Sequence, residues 1–434
     1  MNKRLAMANL MNATSLLDGT VPASGRIPHR PGKGRAAEQI HSQISKVIAR
    51  RARKSSALKL ILGQPSYSVT TREVKAAVTQ VGGHLGPVTF LLGGRSVQPF
   101  SIAPWYSEKH SPEIPPVVRV LRGDFFCMPF GGNEKSFRGE KHPTHGETAN
   151  NRWRLAGSAR KKREVTLRLA MTTKIRPAHV DKRITLVPGQ TVIYQEHIIS
   201  GMRGPMSLGH HAMLKCPDHA GAARVSTSRF IHGQVYVEPV ERPEQRGYSI
   251  LKPGAVFSDL KSVPTVTGAL ADLSRYPARR GFEDIAILVA DPKLPVAWSA
   301  VAFPEEGYVW FSLRDPRVLA STLIWMSNGG RHYPPWNGRH CHVIGVEDIT
   351  GFFHSGLAES AAPNPLSEHG CKTHHVLNPK FPFSVKYIMG VAAIPKKFDR
   401  VKNIIVEGKF VTLASDSGLA IRTPVNTGFL KSSG

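Results

Sequence analysis

An all-β domain, built as a large antiparallel sandwich, is the fold class this chain predicts, on three observations. Runs rich in β-branched and aromatic residues recur at short spacing from Ser66 onward. Gly- and Pro-containing turn signals separate those runs. Long, capped helical patterns are nearly absent after residue 65.

Residues 1–36 are Asn, Ser, Gly, Pro and Arg without periodicity, a composition that predicts disorder. Ile40, Ile44, Val47 and Ile48 then fall at i, i+4, i+7 and i+8, which predicts a short helix over 37–62. We therefore expect a basic tail over 1–64, one β domain over 65–420 and a C-terminal tail over 421–434. Strand-like runs in the domain include VTLRLAMTTK, RITLVPGQTVIYQEHIIS, AWSAVAFP, YVWFSLRD, STLIWMSN, HVIGVEDI and NIIVEGKFVTLAS. Pro188-Gly189, Glu306-Gly307, Pro334-Pro335 and Asn337-Gly338 mark turns between them. The segment ALADLSRYPARRGFEDI has room for a short helix. No 20–50-residue repeat is visible, which argues against propellers and solenoids.

The formal net charge is +27 and the sequence pI about 10.2, so the chain is drawn to polyanions. The first 60 residues hold twelve Lys and Arg against Asp18 and Glu38. A generally basic proteome gives the same excess. No zinc finger or RNP-like motif appears, so nucleic-acid binding is expected only non-specifically, through the tail. No run of roughly 18 apolar residues occurs, and no membrane span is expected. Cys127, Cys216, Cys341 and Cys371 lie far apart without a CxxC pair. They read as free thiols, and with a poor secretory signal they point to the cytoplasm. Neither a phosphate-binding GxxxxGK[ST] nor a GxSxG elbow is present, which argues against nucleotide-driven and serine-hydrolase chemistry. The His-rich segments 340–342 and 369–375 do not complete a zinc spacing, and we expect no metal and no cofactor.

Four segments place His, Glu, Arg, Asn and Trp at the ends of β runs: residues 121–133, 144–153, 207–215 and 325–351. Planar donors and acceptors suit ring hydroxyls, and aromatic faces suit the apolar patches of a pyranose. Arg122, Asn150, Asn328 and Arg331 fit the first role; Trp153, Trp325 and Trp336 fit the second.

In order, these segments resemble the aldose 1-epimerase superfamily, which includes galactose mutarotases and hexose-6-phosphate epimerases. GGHLGPVTF (82–90) resembles the Gly-Gly strand that opens that fold, and HGETANNRW its His-Gly followed by Trp. HAML (211–214) resembles the stretch bearing a catalytic histidine, and GVED (345–348) the late strand bearing a catalytic glutamate. The resemblance covers most of 66–420 and implies a galactose mutarotase-like supersandwich. It implies His211 as general acid and Glu347 as general base, with His210 as the alternative acid. His145 and Arg122 are then substrate contacts, and Asp284 the acidic residue that holds sugar hydroxyls. Met213 and Leu214 stand where the family has aromatics, and FFCMPFGGN departs from the Gly-Arg pattern of galactose mutarotases.

The implied chemistry is anomer interconversion of a monosaccharide or sugar phosphate. A base removes the anomeric proton while an acid protonates the ring oxygen; the ring opens, the C1–C2 bond rotates and the ring recloses. Positioned acid–base catalysis contributes about 10²–10⁴-fold per group. The alternative is a sugar-binding sandwich without catalysis, because fold alone does not decide function.

Overall fold

The computed structural model describes residues 58–431, residue 162 excepted. The expected strand runs are strands. VTLRLAMTTK lies in Glu164–Thr173, and RITLVPGQTVIYQEHIIS spans Ala178–Leu186 and Val192–Ser200 around the Pro188-Gly189 turn. All the strand ladders among the described residues are antiparallel, both between strands joined by short turns and between strands far apart in the chain.

Two large sheets carry the architecture. A seven-stranded sheet runs Val256–Phe257, Phe230–Val235, Phe282–Ala290, Ser321–Asn328, Val343–Thr350, Leu208–Lys215 and Phe126–Cys127. A nine-stranded sheet has Tyr308–Arg314, Phe383–Ala393, Val192–Ser200 and Ala178–Leu186 at its centre. Between them lies the main core, where Ala212, Leu214, Ile324 and Val346 of the first sheet share one apolar cluster with Leu169, Val180, Trp310 and Met389 of the second. The smaller sheet's other face is also buried: Met213, Ile285, Ile287, Leu323 and Trp325 form a second cluster. Because successive side chains point to opposite faces of a strand, each central strand here is apolar on both.

Three expectations need correction. Lys59–Ile61 is a strand paired with Gln64–Ser66, so the helix expected over 37–62 does not extend to its predicted end. The rest of that helix, and the tail to residue 57, lie outside the described residues. At the other end Ala420–Pro424 pairs with Phe410–Ala414, and Leu430 is buried, so the framework continues past the expected edge at 420. The helix allowed for ALADLSRYPARRGFEDI is absent; Leu270–Ala271 and Arg275–Tyr276 are short strands instead. Tyr276 explains the second: its ring is buried in the core and its hydroxyl donates to the Ser327 carbonyl at 2.8 Å. No helix among the described residues is long and apolar enough to cross a membrane.

Candidate active site

His211 and Glu347 sit directly opposite each other on adjacent strands, Leu208–Lys215 and Val343–Thr350. Cross-strand partners share a face, and this face is the one turned away from the nine-stranded sheet. His211 Nε2 lies 3.3 Å from Glu347 Oε1, and the two side chains are only 6% and 2% exposed. Room for the carboxylate is left by Gly345: a Cβ there would lie 2.6 Å from Glu347 Oε1. His210 faces the other way, into the space between the sheets, and its Nδ1 is 2.9 Å from Asp124 Oδ2. Of the two adjacent histidines, only His211 reaches the cleft.

The pair forms the floor of a cleft of about 1110 Å³. Phe125 stacks on the His211 ring at 4.5 Å, and Trp325 meets it edge-on at 5.7 Å. His145 crosses His211 at 4.9 Å and lies 5.1 Å from His354, which also lines the cleft. His145 adopts a left-handed backbone (φ 60°), and Gly146 follows at φ 73°. Only glycine fits at 146, since a Cβ would strike the Met128 carbonyl at 1.9 Å. The Gly131 amide donates to His145 Nδ1 at 3.4 Å, which leaves Nε2 as the protonated nitrogen of the neutral ring.

One wall is aromatic and charged. The Arg331 guanidinium lies over Trp325 (5.1 Å) and Trp336 (4.7 Å). Its Nε donates to Glu241 Oε1 at 3.0 Å and stands 4.0 Å from Glu283 Oε2. Glu283 in turn accepts from Trp325 Nε1 (3.0 Å), the Ser327 hydroxyl (3.0 Å) and the Gly330 amide (3.1 Å).

Burial governs the electrostatics. Desolvation pushes the His211 imidazole down to about 3 and lifts the Glu347 carboxyl well above the carboxylate range, against the pull of Arg331. Burial thus favours the uncharged pair, with the shared proton on Glu347. Desolvation likewise raises Glu283 to about 7 and lowers His354 to about 4.

Four expected contacts are elsewhere. Arg122 is fully buried outside the cleft and donates to the carbonyls of Val120 (3.1 Å), Ile61 (3.3 Å) and Leu62 (3.0 Å), locking the first hairpin onto the domain. Trp153 is a core residue whose indole N–H donates to the Thr148 carbonyl at 2.9 Å. Asp284 points between the sheets and accepts the amides of Ile250 and Leu251; its neighbour Glu283 faces the cleft instead. Asn328 donates to the Ala278 carbonyl (2.9 Å) and accepts the His342 amide (3.0 Å). Asn150 is also scaffold: its amide donates to the Thr144 and Gly146 carbonyls, each at 2.7 Å, and so braces the His145 turn. His145 and Arg331 remain in the cleft, joined by Glu241, Glu283 and His354, which the sequence reading missed. Glu283 was one position from the expected residue; Glu241 and His354 lie outside the four segments and carried no local signal.

In the two His-rich segments one ring nitrogen of each of three histidines meets a protein group: His340 Nδ1 the Ser327 hydroxyl (2.7 Å), His342 Nε2 Asp218 (2.8 Å) and His375 Nε2 the Val318 carbonyl (2.8 Å).

No family model and no curated protein matches the sequence. Solved structures do. A galactose mutarotase-like protein of Clostridium acetobutylicum superimposes with a TM-score of 0.53 at 10% identity, over 78% of this chain and 98% of that one. A candidate mutarotase of Salmonella typhimurium gives 0.51 at 12% identity, over 81% of this chain and 99% of that one. At such identities the likeness speaks for architecture, and the chain has the galactose mutarotase-like fold.

Proposed function

We propose that the cleft binds a monosaccharide or sugar phosphate and interconverts its anomers by acid–base ring opening, as an aldose 1-epimerase does. The observation that carries this reading is the 3.3 Å pairing of His211 and Glu347 on the floor of an aromatic-walled cleft. Trp325 and Trp336 offer faces for the C–H side of a pyranose. Arg331, Glu241, Glu283, His145 and His354 offer hydrogen-bonding partners for its hydroxyls. The four cysteines are unpaired, which suits a reducing compartment such as the cytoplasm.

In this reading a sugar sits over the imidazole and the carboxyl, one facing the anomeric hydroxyl and the other the ring oxygen. The pair has one acid and one base in either of its single-proton forms. The uncharged form favoured by burial makes Glu347 the acid and His211 the base, the reverse of the roles implied by the family resemblance. The ion-pair form restores those roles by moving one proton between the two groups. Neither form needs a metal to complete the proton inventory.

The test is anomeric exchange measured by NMR across a panel of hexoses and hexose phosphates. Glu347→Gln and His211→Asn should each slow exchange at least about 100-fold, while sugar affinity changes by only a few-fold. Unchanged exchange in both variants would end the catalytic reading. A second reading, sugar binding without turnover, is favoured by the depth of the pair, whose side chains are 6% and 2% exposed and already in contact. It predicts sugar binding with no exchange in the wild type.

A further inference from the structure

A second concavity, of about 930 Å³, lies against the edge strand Arg154–Lys161 of the nine-stranded sheet. Arg119, Arg152, Arg154 and Lys174 line it, and among the described residues none of the four is ion-paired. The lining contains one carboxylate, Glu108, and that is neutralised by Arg339 at 2.6 Å. Gln64, His110, Asn150, Asn151, Thr172 and His179 complete the polar lining, His179 lying 3.5 Å from Asp181. Arg152, Arg154 and Lys174 are exposed, so their charge projects into the groove rather than into the fold. Like charges left together without partners repel one another, and an anionic ligand relieves that repulsion.

The groove and the sugar cleft are the two sides of one wall. Pro116 and Arg119 face the groove, Pro115 and Val118 the cleft. Asn150, which lines the groove, holds that wall by accepting the Val117 amide at 3.0 Å. The signs of the two sides differ: Glu113, Glu134 and Glu238 line the cleft without an ion-pair partner among the described residues, while Glu359 is paired with Lys135 at 3.4 Å. A polyanion is therefore directed to the groove and away from the cleft.

We infer that this groove is a binding site for an acidic polysaccharide chain. Charge complementarity sets the anionic character. The lining has no Phe, Tyr or Trp on which a base could stack, which argues against single-stranded nucleic acid. The preference for polysaccharide also draws on the sugar reading of the neighbouring cleft.

The experiment is a salt titration of binding to a heparin decasaccharide, with oligothymidylate and duplex DNA as competitors. It uses the full chain, so the basic N-terminal residues are present in every sample and only differences are read. The triple variant Arg152→Ala, Arg154→Ala, Lys174→Ala should bind heparin at least about tenfold more weakly at low salt. Its log–log salt slope should be shallower by about 2, for three lost charges. The single reversal Lys174→Glu should weaken binding in the same direction, and melting temperatures will show that both variants fold. Wild-type affinity and slope in the triple variant would overturn the site, and oligothymidylate or duplex DNA binding as tightly as heparin would overturn the ligand class. Anomeric exchange of a neutral hexose should be the same in the triple variant and the wild type. An absence of exchange in both, with heparin binding lost only in the variant, would sink the catalytic reading and leave the groove standing.

Discussion

At the scale of single residues, the cleft depends on small side chains as much as on reactive ones. Glu347 can turn toward His211 because Gly345, two positions earlier on the same face, has no Cβ. Gly345→Ala would put a methyl group 2.6 Å from Glu347 Oε1 and also 3.1 Å from Trp325 Cβ, so the carboxylate must move. A displacement of this size at a reacting group costs on the order of 10²-fold in rate. Exchange by NMR should fall by about that factor in Gly345→Ala. Near wild-type exchange would show that the carboxylate position is not what limits the reaction. The same scale explains the errors of residue assignment. Arg122 and Trp153 are residue types that bind sugars, but the same donors satisfy backbone carbonyls, and here they do so in the core. Composition alone does not separate the two uses.

At the scale of elements, the two strands that carry the pair interrupt their apolar faces with buried polar groups on both sides. Behind Glu347, Asp348 faces the core, where Arg314 lies 2.7 Å away and Ser312, Thr322 and Tyr387 donate to its carboxylate at 2.6, 2.8 and 3.1 Å. Behind His211, His210 stacks on Tyr387 at 4.2 Å and contacts Asp124. This buried network ties the Val343–Thr350 strand to the nine-stranded sheet directly under the cleft floor. Asp348→Ala leaves Arg314 charged and buried without its carboxylate. Breaking one side of such a pair costs about 3–5 kcal/mol, whereas replacing both partners with apolar residues of similar volume is near neutral. Urea denaturation should show that loss for Asp348→Ala and substantial recovery in Arg314→Met, Asp348→Leu. If Asp348→Ala is nearly neutral, the Asp348 carboxylate is not what compensates the buried Arg314 charge. Element positions were readable from turn chemistry and β-branched runs. Their facing was not: Glu283 and Asp284 are adjacent in a strand whose two faces are both apolar, so alternation of hydrophobicity cannot tell which carboxylate meets the cleft.

At the scale of the whole molecule, burial of titratable groups shapes the dependence of stability on pH. His84, His211 and His340 are lowered to about 3, and His354 and His375 to about 4, each chiefly by desolvation. Between those values and the ordinary histidine value near 6.5, the unfolded chain binds protons that the folded chain does not, so stability rises with pH there. Glu283 and Asp284, raised to about 7, act in the opposite sense: the folded chain keeps protons that the unfolded chain releases above about pH 4. His142, His145 and His197 are lowered as well, and Glu241 and Glu347 raised, so eight histidines outnumber four carboxyl groups and the urea midpoint should rise from about pH 4.5 to about pH 6.5. A midpoint that falls over that window would mean the histidines are charged in the folded state.

By itself the amino-acid order determined the strand content, the turns, the antiparallel sandwich, and the presence of an imidazole and a carboxylate on strands that would have to be neighbours. These are local properties: β-branched and aromatic runs, Gly and Pro at turns, and short motifs in a set order. Only the tertiary structure decided which face of each central strand meets the cleft. It turned His211 and Glu347 inward, sent His210, Asp284 and Asn328 elsewhere, and brought Glu241 and His354 in from distant loops. The physical reason is that the smaller sheet is covered on both sides. Hydrophobicity then marks both faces alike, and the distinction between scaffold and site is made by what packs against each face.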